Sequence, residues 1–181
     1  MIRRLIVPGL AAAVAAGALV TLPTADAAPR GAACRVAGNA TISPGLKATA
    51  ATQKITIKVT TLQCVMGSST SPGVPKPINA KATISPTPLT AKAACSNGNL
   101  AFSATITWGG KTTTVKITTT GLTASQTLRG NVTSSTDPTF KKGDLVAGEV
   151  AFRPNPPAQN CVTTPVKSVD FAGALGVGAP N

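Results

Sequence analysis

The residues that could do chemistry in this chain are few. Its acidic side chains are Asp26, Asp137, Asp144, Glu149 and Asp170, and it has no histidine and no tyrosine. Without histidine, the Ser-His-Asp and Cys-His machines, the histidine zinc sites and a histidine pH switch are all excluded. A glycosidase needs two carboxylates facing each other across a sugar. Asp144 and Glu149 are the nearest pair, yet each follows a glycine, Gly143 or Gly148, at the start of an expected strand. Solvated turn and edge roles are ordinary for carboxylates there. No G-x-S-x-G elbow, phosphate-binding glycine loop or D-x-D-x-D-G calcium loop occurs. Serine and threonine abound, but none has an evident base to make it a nucleophile. The expectation is a protein that is not an enzyme and uses no cofactor and no metal.

The cysteines Cys34, Cys64, Cys95 and Cys161 carry more information. Met1-Ile2-Arg3-Arg4 is a short basic start, Leu5 to Leu22 is apolar apart from Thr21, and Ala25-Asp26-Ala27 offers small residues in the A-x-A arrangement. That pattern reads as an export signal, residues 1–27, cut before Ala28. No later apolar run approaches the roughly 18 residues that span a bilayer, so a soluble secreted protein, extracellular or wall-associated, is expected. An even number of cysteines in an exported chain, without C-x-x-C spacing, reads as two disulfides. Three pairings are open. Cys34–Cys64 with Cys95–Cys161 is preferred, because each pair then brackets a block of strands. Loops of those lengths give about 4 kcal/mol per bridge in the chain-entropy model.

Charge is the property furthest from average. Seventeen Lys and Arg against five Asp and Glu give a net +12. Such a surface keeps a protein soluble, and it also attracts polyanions. The expected partners are anionic cell-wall or membrane-surface polymers, with Lys54 and Lys58 as candidate contacts. Nucleic acid is disfavoured, since stacking needs aromatics among the basic groups and the chain has a single tryptophan. That residue, Trp108, is a third candidate contact, because it stands beside an expected hairpin tip. It also falls on the apolar face of that hairpin, where the core is its better place.

The elements that must position these residues read as strands throughout. Lys54-Ile55-Thr56-Ile57-Lys58-Val59-Thr60 alternates strictly, the pattern of a strand with one buried face. Ile78–Ile84 alternates more weakly. Two alternating runs meet at Gly109-Gly110, a dipeptide suited to a two-residue hairpin turn. The register then sets Trp108 against Lys111, Ile106 against Thr113, Ala104 against Val115 and Phe102 against Ile117. Further strands are expected at Thr127–Thr133, Leu145–Phe152 and Val166–Leu175. Together they predict an all-β, antiparallel β-sandwich, immunoglobulin-like or related, with two disulfides. It occupies one domain over residues 28–175, followed by a flexible tail at 176–181, and is expected to be a monomer.

Cys34 followed by Gly38 and Ser43-Pro44-Gly45-Leu46, Cys95 followed by Gly98, and Ala104-Thr105-Ile106-Thr107-Trp108-Gly109-Gly110-Lys111-Thr112-Thr113 give the mature chain a distinctive layout. It resembles small exported β-rich proteins of actinobacteria, most of which have no assigned activity. The resemblance implies a secreted, disulfide-bonded β-sandwich and transfers no functional residues. Two functions fit these readings. One is a non-catalytic binding or cell-surface protein with a basic surface. The other is an exported protease inhibitor or antagonist acting through a disulfide-held loop, Ser68–Pro77 or Arg153–Asn160.

Overall fold

A computed structural model describes residues 31–67, 77–120 and 124–178. The expected export signal lies outside them, as does nearly all of the Ser68–Pro77 loop. Among the described residues the chain is strand and turn with no helix. The strands are β1 (Gly31–Leu46), β2 (Ala51–Gly67), β3 (Pro77–Asn79), β4 (Lys81–Ser85), β5 (Leu89–Ala94) and β6 (Asn97–Gly98). They continue as β7 (Leu100–Trp108), β8 (Lys111–Thr120), β9 (Ser125–Ser135), β10 (Leu145–Pro154) and β11 (Val166–Gly178).

Alternation decides the faces. Along β2, Ile55, Ile57 and Val59 point inward while Lys54, Thr56 and Lys58 are exposed. The phase reverses at Thr60, because Gly38 pairs with Val59 and Ala37 with Thr61, leaving Thr60 as the extra residue of a bulge. Its Oγ1 donates to the Ala37 carbonyl at 3.2 Å. Beyond it Leu62 and Cys64 turn inward. The β7–β8 hairpin has the register expected of it, from Phe102 against Ile117 to Trp108 against Lys111. Gly109 and Gly110 have φ of 56° and 83°, the double positive φ of a type I′ turn that only glycine enters freely.

The strands do not separate into the two sheets expected of a sandwich. All-β and antiparallel hold, but the strands form one 11-stranded sheet in the order β4-β7-β8-β9-β10-β11-β1-β2-β5-β6, with β3 on β2. This sheet is curled into a half-barrel. The physical reason is a diagonal of glycines on its inner face. Gly130 pairs with Val146, two residues before Gly148; Gly148 pairs with Leu175, two residues beyond Gly173; and Gly173 pairs with Val36, two residues before Gly38. At each of the four a side chain would overlap the neighbouring strand's backbone, at the carbonyl oxygens of Lys116, Ala174, Glu149 and Lys58. A line of missing side chains stepping two residues per strand lets a twisted sheet crease and coil. Phe171 covers the last of them, with its Cζ 2.6 Å from where a Gly38 Cβ would stand.

The open side is spanned by residues 77–85. β3 pairs with β2 and β4 with β7, and between them the Ala80 N–H donates to the Leu62 carbonyl at 2.8 Å. One apolar cluster fills the interior, including Ile106, Val115, Val132, Val146 and Val177. The last strand runs past Leu175 to Gly178, where Val177 pairs with Ala32 and Val146 and is 2% exposed. Residues 176–178 therefore belong to the sheet, not to a tail.

Candidate functional site

Both disulfides have the preferred pairing. Cys34 and Cys64 face each other directly across β1 and β2, with Cα atoms 3.9 Å apart, inside the core. Cys95, after β5, reaches Cys161 in the loop before β11, with Cα atoms 6.1 Å apart. Trp108 is not a surface ring: it is 3% exposed and stacks on Phe140, centroids 4.6 Å apart and planes 19° from parallel. Its Nε1 finds no acceptor among the described residues. The two nearest carboxylates are engaged separately. Asp144 Oδ2 accepts from the Lys141 N–H at 2.8 Å, and Glu149 Oε1 accepts from the Ser125 hydroxyl at 2.6 Å.

The basic residues are less dispersed in space than in sequence. No Asp or Glu occurs between Asp26 and Asp137, so β1 to β9 carry no carboxylate. On the outer face Lys54 stands opposite Ser43 and Thr90, Lys58 opposite Asn39, and Lys92 opposite Thr52. Arg35 lies further along β1, and all four side chains are exposed. Pairing the strands gathers them onto one Thr-rich wall formed by β1, β2 and β5. Among the described residues the one ion pair is elsewhere, between Lys111 Nζ and Asp137 Oδ2 at 3.8 Å.

The interior holds a second feature that the sequence reading missed. Two cavities, of about 90 Å³ and about 170 Å³, share Leu100, Gln126 and Phe152 in their walls. The smaller is bounded by Val36, Val59, Ile117, Val150 and Phe171. The larger opens toward the Cys95–Cys161 end, between Ile42, Ile55, Ala93, Cys161 and Val166. The polar side chains in these walls are Thr119, whose Oγ1 accepts from the Leu100 N–H at 3.1 Å, and Gln126. Gln126 is 5% exposed, and its Nε2 donates to the Gly98 carbonyl at 3.0 Å. A carbonyl can only accept, so that bond fixes which way the amide points. Among the described residues Gln126 Oε1 is then left buried without a donor, at a cost of about 1–3 kcal/mol.

The Arg153–Asn160 loop is tightly curled where it passes the bridge. Gln159 Oε1 accepts from the Lys167 N–H, and Asn160 Oδ1 accepts from the N–H groups of Val162, Thr163 and Thr164. Cys161 sits at a φ of 66°, and Val162 beside it is 87% exposed. The whole is a small, disulfide-bonded, antiparallel β protein with a basic wall outside and an apolar cavity inside. No family model, curated protein or solved structure matches the chain.

Proposed function

We propose that this is an exported, non-catalytic binding protein whose basic wall adheres to anionic polymers of the cell wall or membrane surface. The observation that carries the reading is the wall of Arg35, Lys54, Lys58 and Lys92, exposed on strands that hold no carboxylate. Unpaired cations on a rigid sheet attract a polyanion by long-range Coulomb forces and require no pocket. The outer face of β2 is polar, with Lys54, Thr56, Lys58 and Thr60 in alternation and all exposed, a surface suited to a hydrated polymer. The antagonist reading rests on Ser68–Pro77, nearly all of which lies outside the described residues, or on Arg153–Asn160, which beyond Pro154 turns back on itself, the Gln159 N–H donating to the Pro156 carbonyl at 3.2 Å.

Sedimentation with purified cell walls across a salt series tests the reading. Retention falls steeply as the Debye length shrinks from about 10 Å at 0.1 M to about 3 Å at 1 M. Lys58→Ala changes it little, while Lys54→Glu, Lys58→Glu and Lys92→Glu together abolish it. Retention unchanged at 1 M salt, or lost on the single substitution, would refute surface adhesion.

A further inference from the structure

We infer that the interior of the half-barrel binds a small apolar molecule carrying one hydrogen-bond donor, and that the donor sits on Gln126 Oε1. Three observations converge on Gln126. The two cavities share Leu100, Gln126 and Phe152 in their walls, so Gln126 borders both. Their walls are hydrocarbon except at Thr119, whose Oγ1 is already engaged by the Leu100 N–H, and Gln126. Among the described residues, the one buried oxygen in these walls without a partner is Gln126 Oε1, and the Gly98 carbonyl holds its amide in the orientation that leaves that oxygen free.

The size and polarity select the class of ligand. The larger cavity, about 170 Å³, compares with apolar cavities of about 150 Å³ that stay dry and take up benzene. A single ring or a short alkyl chain therefore fits it. Water is a poor occupant, since an ordered water needs two to four polar partners and these walls offer one orphaned acceptor. A ligand with a hydroxyl or N–H satisfies that acceptor and buries the rest of its surface against side chains such as Ile55, Val166 and Phe152. Pro154 and Cys161 are both wall residues and partly exposed, which puts access on the side of the Cys95–Cys161 bridge. The site is separate from the basic wall and does not depend on it.

The test is a titration of the oxidised protein with p-cresol and with toluene, which have the same ring and methyl group but differ in the hydroxyl. Binding is read by calorimetry and by amide shifts in NMR. The expected result is saturable binding of p-cresol about tenfold tighter than toluene, the size of one well-made buried hydrogen bond. Gln126→Leu removes that preference while toluene binds at least as well as before. Because this change also strips the Gly98 carbonyl of its donor, Ala93→Leu provides a second arm. It fills the larger cavity, so both ligands are lost while the protein unfolds at no lower urea concentration. The inference is overturned by no saturable binding of p-cresol at millimolar concentration, by equal affinity for the two ligands, or by Ala93→Leu binding both unchanged.

Discussion

The two ends of the half-barrel are closed by different means. At the end that carries the β7–β8 turn, closure is by packing: Trp108 and Phe140 are each 3% exposed and stacked. Around them Thr113 and Ser135 share a 2.8 Å hydroxyl contact, and Ser135 Oγ also accepts the Asp137 N–H at 3.0 Å. At the opposite end closure is covalent. Cys95–Cys161 ties two connections around the larger cavity, and single amides, Gln159 and Asn160, organise the loop. Interiors normally pack without voids larger than a water molecule. A molecule that keeps one end dense and holds the other by a bridge has placed its stability and its capacity for a ligand in different places.

The largest expected effect follows from the packed end. Trp108→Ala removes the stacked ring from a site with no slack and costs about 3–5 kcal/mol. Phe152→Ala, at a partly exposed ring that already borders both cavities, costs clearly less. Urea titrations of the two variants against the parent protein measure the difference. Equal losses would break the distinction between the ends. Trp108→Phe sharpens it, since it keeps a ring on Phe140 and deletes the unpartnered Nε1, so it is expected to cost less than the alanine change.

How much of this was legible in the sequence differs between the ends for a physical reason. The hairpin and Trp108's inward face follow from a period of two and a Gly-Gly turn, which are local. The bridges follow from cysteine count and strand blocks. The curl is not local: Gly130, Gly148, Gly173 and Gly38 make a diagonal only once four strands are in register. A sequence of alternating strands is equally compatible with two stacked sheets. The cavity's polar group was missed by one position. Gln126 has the parity of Leu128 and Gln53 that of Ile55, and both are buried, at 5% and 1% exposed. The strands read from sequence began just after each of them, at Thr127 and Lys54. A polar residue at the head of an alternating run reads as the end of a strand, although Gln53 is the partner of the Gly45 N–H at 3.0 Å.

The next effect separates the two bridges by location. Replacing Cys95 and Cys161 together by alanine costs about 2–4 kcal/mol, as for disulfides closing loops of this size. Loss of protection from hydrogen exchange is expected at residues 95–98 and 159–168, while the fluorescence of the single tryptophan stays unchanged. Replacing Cys34 and Cys64 instead opens a cavity in the core, yet it leaves the ladder from Gly31 to Ser43 on β2 in place. Protection then falls globally and not in one loop. A Trp108 emission shift caused by losing the Cys95–Cys161 bridge would show that the ends are coupled after all.

The smallest effect asks whether charge contributes to the packed end. Lys111 is 51% exposed, and its Nζ lies 3.8 Å from Asp137 Oδ2. An ion pair that long and that wet is screened by solvent and gains little over hydration of its parts. Asp137 is meanwhile held by other means: its Oδ1 accepts the Thr139 N–H at 3.0 Å, and its backbone N–H and carbonyl both engage Ser135 Oγ. Lys111→Met therefore lowers stability by at most about 0.5 kcal/mol, and the difference in unfolding midpoint between parent and variant changes little between 0.1 M and 1 M sodium chloride. Ser135→Ala is expected to cost more than Lys111→Met, because it strips partners from Thr113 and from the Asp137 backbone. If Lys111→Met proved the costlier of the two, and salt reproduced its effect, the turn end would be held by its ion pair and not by the packed rings and hydroxyl network beneath it.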